Sequence, residues 1–318
     1  MFASMVRIRR VEESIAARYS EQQMRTPVHL CLGQEAPPVG VSSHLRKTDK
    51  VLSGHRSHGQ YLAKGGSLER MIAEIYGKAT GCSAGKGGSQ HLVDLDCGFL
   101  GSAPILASTL SIGVGVAWSL RAAGTDDVCV VYFGDAATEE GVFHEAVSFA
   151  SLHKLPIAFV CENNLYSTHA GLAVRQPTRP IADLALAHAL PSLTADGNDA
   201  LTVREASGAA ITRARAGDGP TLLVLDTYRI VEHVGPGDDS KLGYRSPEEI
   251  ERWRRLDPIA LSASRLERTV DDWSRRLSDL ESTIANEIEK AFDFALRSPF
   301  PESSELLTHV YPTRVVGS

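Results

Sequence analysis

Apolar positions along this chain follow two different periods. Met5, Ile8, Val11, Ile15, Ala16 and Tyr19 recur at helical spacing with charges between them, predicting an amphipathic helix over residues 4–24. Residues 25–66 are rich in Gly, His and Pro, with short helices expected around 35–46. SLERMIAEIYGK (67–78) reads as a helix capped by Ser67, although Arg70 stands where a capping box needs Glu or Gln. ATGCSAGKGGSQH (79–91) is a glycine-rich loop, and residues 104–122 form an apolar helix of small residues suited to close packing.

The centre changes pattern. Continuous apolar runs at 127–135, 156–164 and 220–230 predict buried strands, and helical patterns at 139–154 and 200–217 alternate with them. Such alternation predicts an α/β fold, a parallel sheet with helices on both faces. Beyond a polar, Gly-rich loop, Ser246-Pro247-Glu248-Glu249 is a helix start. Residues 269–297 form a long amphipathic helix that packs on the body or on a partner. With no repeat, linker or low-complexity tract, the division expected is one domain over 1–318. Its core spans about 25–235 and a helical C-terminal extension about 246–318.

Composition narrows the classes. Of 318 residues 43% are hydrophobic and 23% charged, an ordinary globular balance that excludes a disordered chain. Lys and Arg number 33 against 39 Asp and Glu, and a net charge of −6 gives no general reason to bind nucleic acid or an anionic membrane. The five cysteines, Cys31, Cys82, Cys97, Cys129 and Cys161, are scattered without a CxxC, against a disulfide framework. No stretch approaches the roughly 20 apolar residues of a membrane span, and the N-terminus has no apolar signal core. A cytoplasmic setting is expected.

Ligands of open parallel sheets bind beyond the carboxyl ends of the strands. Two consecutive predicted strands end there in polar groups, Gly134-Asp135 and Glu162-Asn163-Asn164. The Asp135 carboxylate, the Asn164 amide oxygen and the Tyr166 carbonyl are hard donors suited to a Mg²⁺ that also holds phosphate. The alternative reading from spacing alone is that Asp135 caps the next helix and Asn164 makes a turn.

Gly134-Asp135-Ala136 followed after twenty-six residues by Asn163-Asn164 resembles the thiamine diphosphate fingerprint, with Ala136 in place of its last glycine. More specifically, the chain resembles the alpha subunit of the 2-oxo acid dehydrogenase family, which includes pyruvate, branched-chain 2-oxo acid and acetoin dehydrogenases. The resemblance is collinear from about residue 5 to 311. It runs through His29-Leu30, Gly33-Gln34-Glu35-Ala36, His55-Arg56-Ser57-His58-Gly59, Gly85-Lys86-Gly87-Gly88-Ser89, Glu162-Asn163-Asn164, Thr227-Tyr228-Arg229, Tyr244-Arg245 and the tail SPFPESSELLTHVY.

That resemblance implies a thiamine-diphosphate-binding fold and a set of roles. Asp135, Asn164 and the Tyr166 carbonyl would ligate Mg²⁺, and the amides of Ala136 and Ala137 at a helix N-terminus would meet the diphosphate. Arg56 and Arg229 would clamp it through planar guanidinium forks. The Pro104 carbonyl would face the aminopyrimidine, and Leu106 would wedge beneath the cofactor. His55 takes the place of the usual tyrosine beside the clamp. His233, at the family's catalytic spacing, and His29 and His58, on the substrate side, would be the catalytic imidazoles. A lone histidine is more often structural, and His144 is read so.

The implied reaction is oxidative decarboxylation of a 2-oxo acid, or cleavage of acetoin, with transfer of the acyl group to the lipoyl arm of an acyltransferase. In this family the carboxylate facing the pyrimidine comes from a separate beta subunit, so activity is expected only in an assembly of two alpha and two beta chains. The helices at 104–122 and 269–297 are candidate surfaces for it. Val231-Glu232-His233-Val234-Gly235-Pro236 departs from the family loop, and Glu232 adds negative charge near the entrance. That charge supports an alternative, a biosynthetic thiamine enzyme passing an acyl or aldehyde unit to a non-lipoyl acceptor. A catalytically dead scaffold is a third class, opposed by the retained Arg56, Asp135, Asn164 and His233. Residues 80–87 look like a P-loop but lack its first glycine and its final Ser/Thr.

Overall fold

A computed structural model describes residues 1–308; positions 309–311 of the tail motif, and the rest of the extension to 318, lie outside the described residues. Helix α1 (Phe2–Arg18) buries Met5, Ile8, Val11 and Ile15, the stripe that the periodicity predicts. A turn at Gly33 leads into α2 (Ala36–Ser42), then come β1 (Lys50–Ser53), α3 (His58–Lys64) and α4 (Leu68–Ile75). Ser67 does cap α4, its side chain accepting from the Arg70 amide at 3.3 Å. Gly33 has φ +88° and a side chain there would meet Ile230 Cγ1 at 2.6 Å, so both conformation and space require glycine.

The glycine-rich loop over 79–91 is wrapped around a carboxylate of the chain itself. Glu74, fully buried on α4, accepts from the amides of Ser83 (2.8 Å) and Gly85 (2.9 Å) on one oxygen. Its other oxygen accepts from Gly87 (2.8 Å) and Gly88 (3.0 Å). The loop is an anion nest, and Glu74 is its anion.

Strand β2 (Phe99–Ser102), helix α5 (Ser108–Ala122), β3 (Cys129–Gly134), α6 (Gly141–Leu152) and β4 (Ile157–Asn163) follow. A small hairpin, β5 (Tyr166–Ser167) and β6 (Ala170–Gly171), leads to the single-turn α7 (Leu172–Arg175). Then come β7 (Ser192–Asp196), α8 (Ala200–Arg215), β8 (Thr221–Asp226), α9 (Pro247–Arg254), α10 (Pro258–Leu266) and α11 (Trp273–Arg297). Ser246 accepts from the Glu249 amide at 3.1 Å, the cap that Ser-Pro-Glu-Glu predicts.

The six long strands form one parallel sheet in the order β2-β1-β3-β4-β8-β7. Alternate residues feed two cores. Val130, Tyr132, Ala158 and Val160 face the side covered by α1, α2, α4, α8 and α11. Val131, Phe133, Ile157 and Phe159 face α5 and α6. Gly113 lets α5 lie directly on β3, since a side chain there would collide with Val131.

Helix α11 turns its apolar stripe (Ile284, Ile288, Ala291, Phe292) onto α4, where Phe292 meets Tyr76 edge-on, and its acids pair with Arg7, Arg10 and Arg18 of α1. That face of α11 thus packs on the body. Helix α5 behaves differently: Ile112 and Trp118 stay exposed, beside Phe149 and Leu152 of α6. Among the described residues no helix is long and apolar enough to cross a membrane.

Candidate active site

Strands β3 and β4 pair with Gly134 opposite Glu162, and the residues that follow the two strand ends, Asp135 and Asn164, emerge at the same carboxyl edge. Asp135 and Asn164 are both buried there, and both line a cavity of about 260 Å³ together with Ala136, Ala137 and Tyr166. Asn164 donates from Nδ2 to Gln34 Oε1 at 3.1 Å, and its Oδ1 accepts from the Tyr166 amide at 3.3 Å. Asp135 pairs with Arg175 of α7, whose other nitrogen pairs with Glu139. Burial pushes the Asp135 carboxyl up and Arg175 opposes that shift. A carboxylate, an amide oxygen and a nearby carbonyl form a hard-oxygen set that fits a small divalent cation.

Residues Asp135–Glu139 form a 3-10 turn, and α6 begins only at Gly141. The amides of Ala136 and Ala137 therefore belong to the first turn of that short segment, not to the long helix itself. They still lie where a helical turn leaves its first N–H groups without internal acceptors.

Across the cavity stand His29, His55 and His233, with ring centroids 4.5 Å (29–55), 5.1 Å (29–233) and 5.5 Å (55–233) apart. Burial first, then the charge of Arg56 and the neighbouring rings, pulls His29 down to about 2 and His55 to about 3. Burial with Arg56 and Arg229 brings His233 to about 4. All three are neutral at pH 7. Gln90 Nε2 donates to His29 Nδ1 at 3.2 Å, which leaves the ring proton on Nε2. Their ligand nitrogens lie within 4.8 Å of one another, but the adjacent Arg56 works against a cation there.

Arg56 is held on the wall by donating to the Leu30 carbonyl at 2.6 Å and the His233 carbonyl at 3.2 Å. Burial pulls it down to about 10, so it stays cationic. The rim is the segment Pro104–Ala107: Leu106 is 41% and Ile105 72% exposed. Ala107 has φ +59°, and Thr168, which also lines the cavity, is left-handed too; such strain in non-glycine residues gathers at functional sites.

Three expectations need correction. His58 does not reach the cavity. It is fully buried between Glu12 Oε1 (2.6 Å) and Ser89 Oγ (2.8 Å), which use both ring nitrogens to tie α3 to α1 and the glycine loop. Arg229 does not face the cavity either. Its donors go to the carbonyls of Val231 and Thr168, the Tyr244 hydroxyl and Asp239, a network that also takes in Arg245. Glu232 turns into its own loop, accepting from the Gly237 amide at 2.6 Å, and does not line the cavity.

Gln34, Gln90, Glu162 and Arg175 are functional candidates that the sequence reading passes over. Gln34 and Glu162 sit inside recognised motifs, which was their only signal. Glu162 lines the cavity, accepts from Gln60 Nε2 at 2.8 and 2.9 Å, and is pushed up to about 8 by burial. Arg175 lies in a stretch with no motif.

A family profile described as "Dehydrogenase E1 component" matches residues 3–304. The chain is 39% identical over 311 residues to the alpha subunit of acetoin:2,6-dichlorophenolindophenol oxidoreductase from Bacillus subtilis (strain 168), covering 98% of this chain and 92% of that protein. It is 35% identical over 311 residues to the alpha subunit of the mitochondrial pyruvate dehydrogenase E1 component of Dictyostelium discoideum, covering 98% and 81%. The somatic human counterpart is 35% identical over 311 residues, covering 98% and 78%.

Proposed function

The chain belongs to the dehydrogenase E1 component family, and from that premise we propose that it is the alpha subunit of a thiamine-diphosphate-dependent dehydrogenase acting on a 2-oxo acid or acetoin. One observation carries the reading. Asp135 and Asn164 leave adjacent strands into the same cavity as Arg56 and the neutral histidines.

When bound, thiamine diphosphate supplies a nucleophilic carbon and an electron sink. Asp135, Asn164 and the Tyr166 carbonyl would hold its Mg²⁺. Arg56 and the amides of Ala136 and Ala137 would meet the diphosphate. Pro104 and Leu106 would contact the rings, with His55 beside Arg56. His29 offers its Nε2–H to a substrate oxygen, held in that tautomer by Gln90. His233, neutral at working pH, holds or passes a proton on the same side. Arg229 acts on the 231–239 loop that carries His233 instead of on the diphosphate.

The chain works with a beta subunit, in an assembly of two of each, and passes its acyl group to a lipoyl acyltransferase. The exposed Ile112, Trp118, Phe149 and Leu152 form an apolar face suited to an obligate interface. Glu232, folded into its loop, no longer argues for a non-lipoyl acceptor. Purified alone, the chain should reduce ferricyanide negligibly. With its beta subunit, Mg²⁺ and thiamine diphosphate it should do so on addition of a 2-oxo acid or acetoin. Robust activity of the isolated chain overturns the shared site; an inert reconstituted pair across that panel overturns the assignment.

A further inference from the structure

Gln34 is the one cavity-lining side chain with a buried amide nitrogen that no protein group accepts from among the described residues. It is 2% exposed. An amide N–H₂ buried without an acceptor loses its water partners and gains none, so such a group in a native wall calls for a partner. The other half of the carboxamide is engaged: Oε1 accepts from Asn164 Nδ2 at 3.1 Å.

The backbone under Gln34 is held from three sides. Its amide donates to the Cys31 carbonyl at 2.8 Å, and the preceding Gly33 amide donates to Glu35 Oε1 at 3.1 Å. Glu35, fully buried, is in turn gripped by Arg9, whose Nη2 donates to Oε2 at 3.0 Å. Glycine makes the turn, glutamate locks it to α1, and the glutamine between them has little choice of direction. Its hydrogen bond also sets which way Asn164 faces. With Nδ2 committed to Gln34, the amide oxygen, which accepts from the Tyr166 amide at 3.3 Å, is the atom left with a lone pair for a further group.

We propose that Gln34 is a positioning residue for the metal–diphosphate group: its Oε1 fixes the Asn164 amide with oxygen toward the cation, and its Nε2 donates to a diphosphate oxygen. This rests on the thiamine diphosphate reading above and extends it to a residue that binds through geometry alone, with no charge.

The test uses the full chain with its beta subunit and the variants Gln34→Leu and Gln34→Glu. Calorimetry measures thiamine diphosphate affinity at saturating Mg²⁺, and electron paramagnetic resonance measures Mn²⁺ retention at saturating thiamine diphosphate. Q34L should weaken both at least tenfold. Q34E keeps an acceptor for Asn164 but sets a carboxylate against the diphosphate. It should therefore hold Mn²⁺ much better than Q34L does while losing cofactor affinity at least tenfold. A purely packing role predicts no such split. If both variants stay within twofold of the wild type in both measurements, the proposal falls while the cofactor reading stands. If the wild type itself binds no thiamine diphosphate, the reading falls and the proposal with it.

Discussion

The guanidinium of Arg175 is paired with the carboxylate of Asp135, so the cavity's principal anionic group already has a cation from its own chain. Both side chains are nearly buried, at 10% and 2% exposure. An incoming divalent ion would compete with that guanidinium. Arg175→Met should strip the buried carboxylate of its partner and destabilise the cofactor-free chain by about 3 kcal/mol. The same variant should need several-fold less Mg²⁺ for half-saturation with thiamine diphosphate, and should recover most of its lost Tm on loading. Calorimetric melts with and without ligand check this; an unchanged Mg²⁺ midpoint would remove Arg175 from the competition.

Asp135→Ala removes the only carboxylate among the three proposed metal ligands. Cofactor affinity should fall at least a hundredfold by calorimetry, with far-ultraviolet circular dichroism unchanged. Near-normal affinity would take Asp135 out of the metal site.

Glu74→Gln tests the nest. Each carboxylate oxygen accepts two amides, so an amide side chain must point its own N–H₂ at one of those pairs. Loss of a buried charge-assisted acceptor set costs about 3 kcal/mol. Urea denaturation should report that loss, and hydrogen exchange at Ser83, Gly85, Gly87 and Gly88 should quicken. Equal stability would show that the loop holds itself.

The three cavity histidines give an acid-side signature. Unfolded, each ionises near 6.5; folded, burial and neighbouring charges lower them to about 2, 3 and 4. Below 6.5 the unfolded chain therefore binds protons that the folded chain refuses, and this contribution erodes stability as pH falls from about 6.5 toward about 2. His55→Asn should lose less Tm than the wild type between pH 6.5 and 5. Parallel curves would refute the shift assigned to His55.

The sequence reveals most where one short segment determines the outcome. Strands β3, β4 and β8 are continuous apolar runs, and their ends locate Asp135 and Asn164. Strands β1, β2 and β7 escape the reading because Lys50–Ser53 and Phe99–Ser102 are too short to show a period, and Ser192–Asp196 is a largely exposed edge. Arg229 shows the other limit. Motif position suggests a phosphate clamp, but its guanidinium closes onto Asp239, Tyr244 and a carbonyl at Thr168, partners that no spacing rule reveals. His58 is hidden likewise by Glu12, forty-six residues earlier. Glu74 shows that a glycine-rich loop can be built around an anion supplied by its own neighbouring helix.

The pairing of Gly134 with Glu162 makes chain length, more than side-chain identity, the fragile variable. Successive residues of a strand point to opposite faces, so inserting or deleting a single residue within 129–134 or 157–163 would swap both cores and swing Asp135 or Asn164 out of line. Homologous chains should exchange one apolar residue for another across these segments and scarcely vary at all in count, with any gaps pushed into exposed turns such as 123–127.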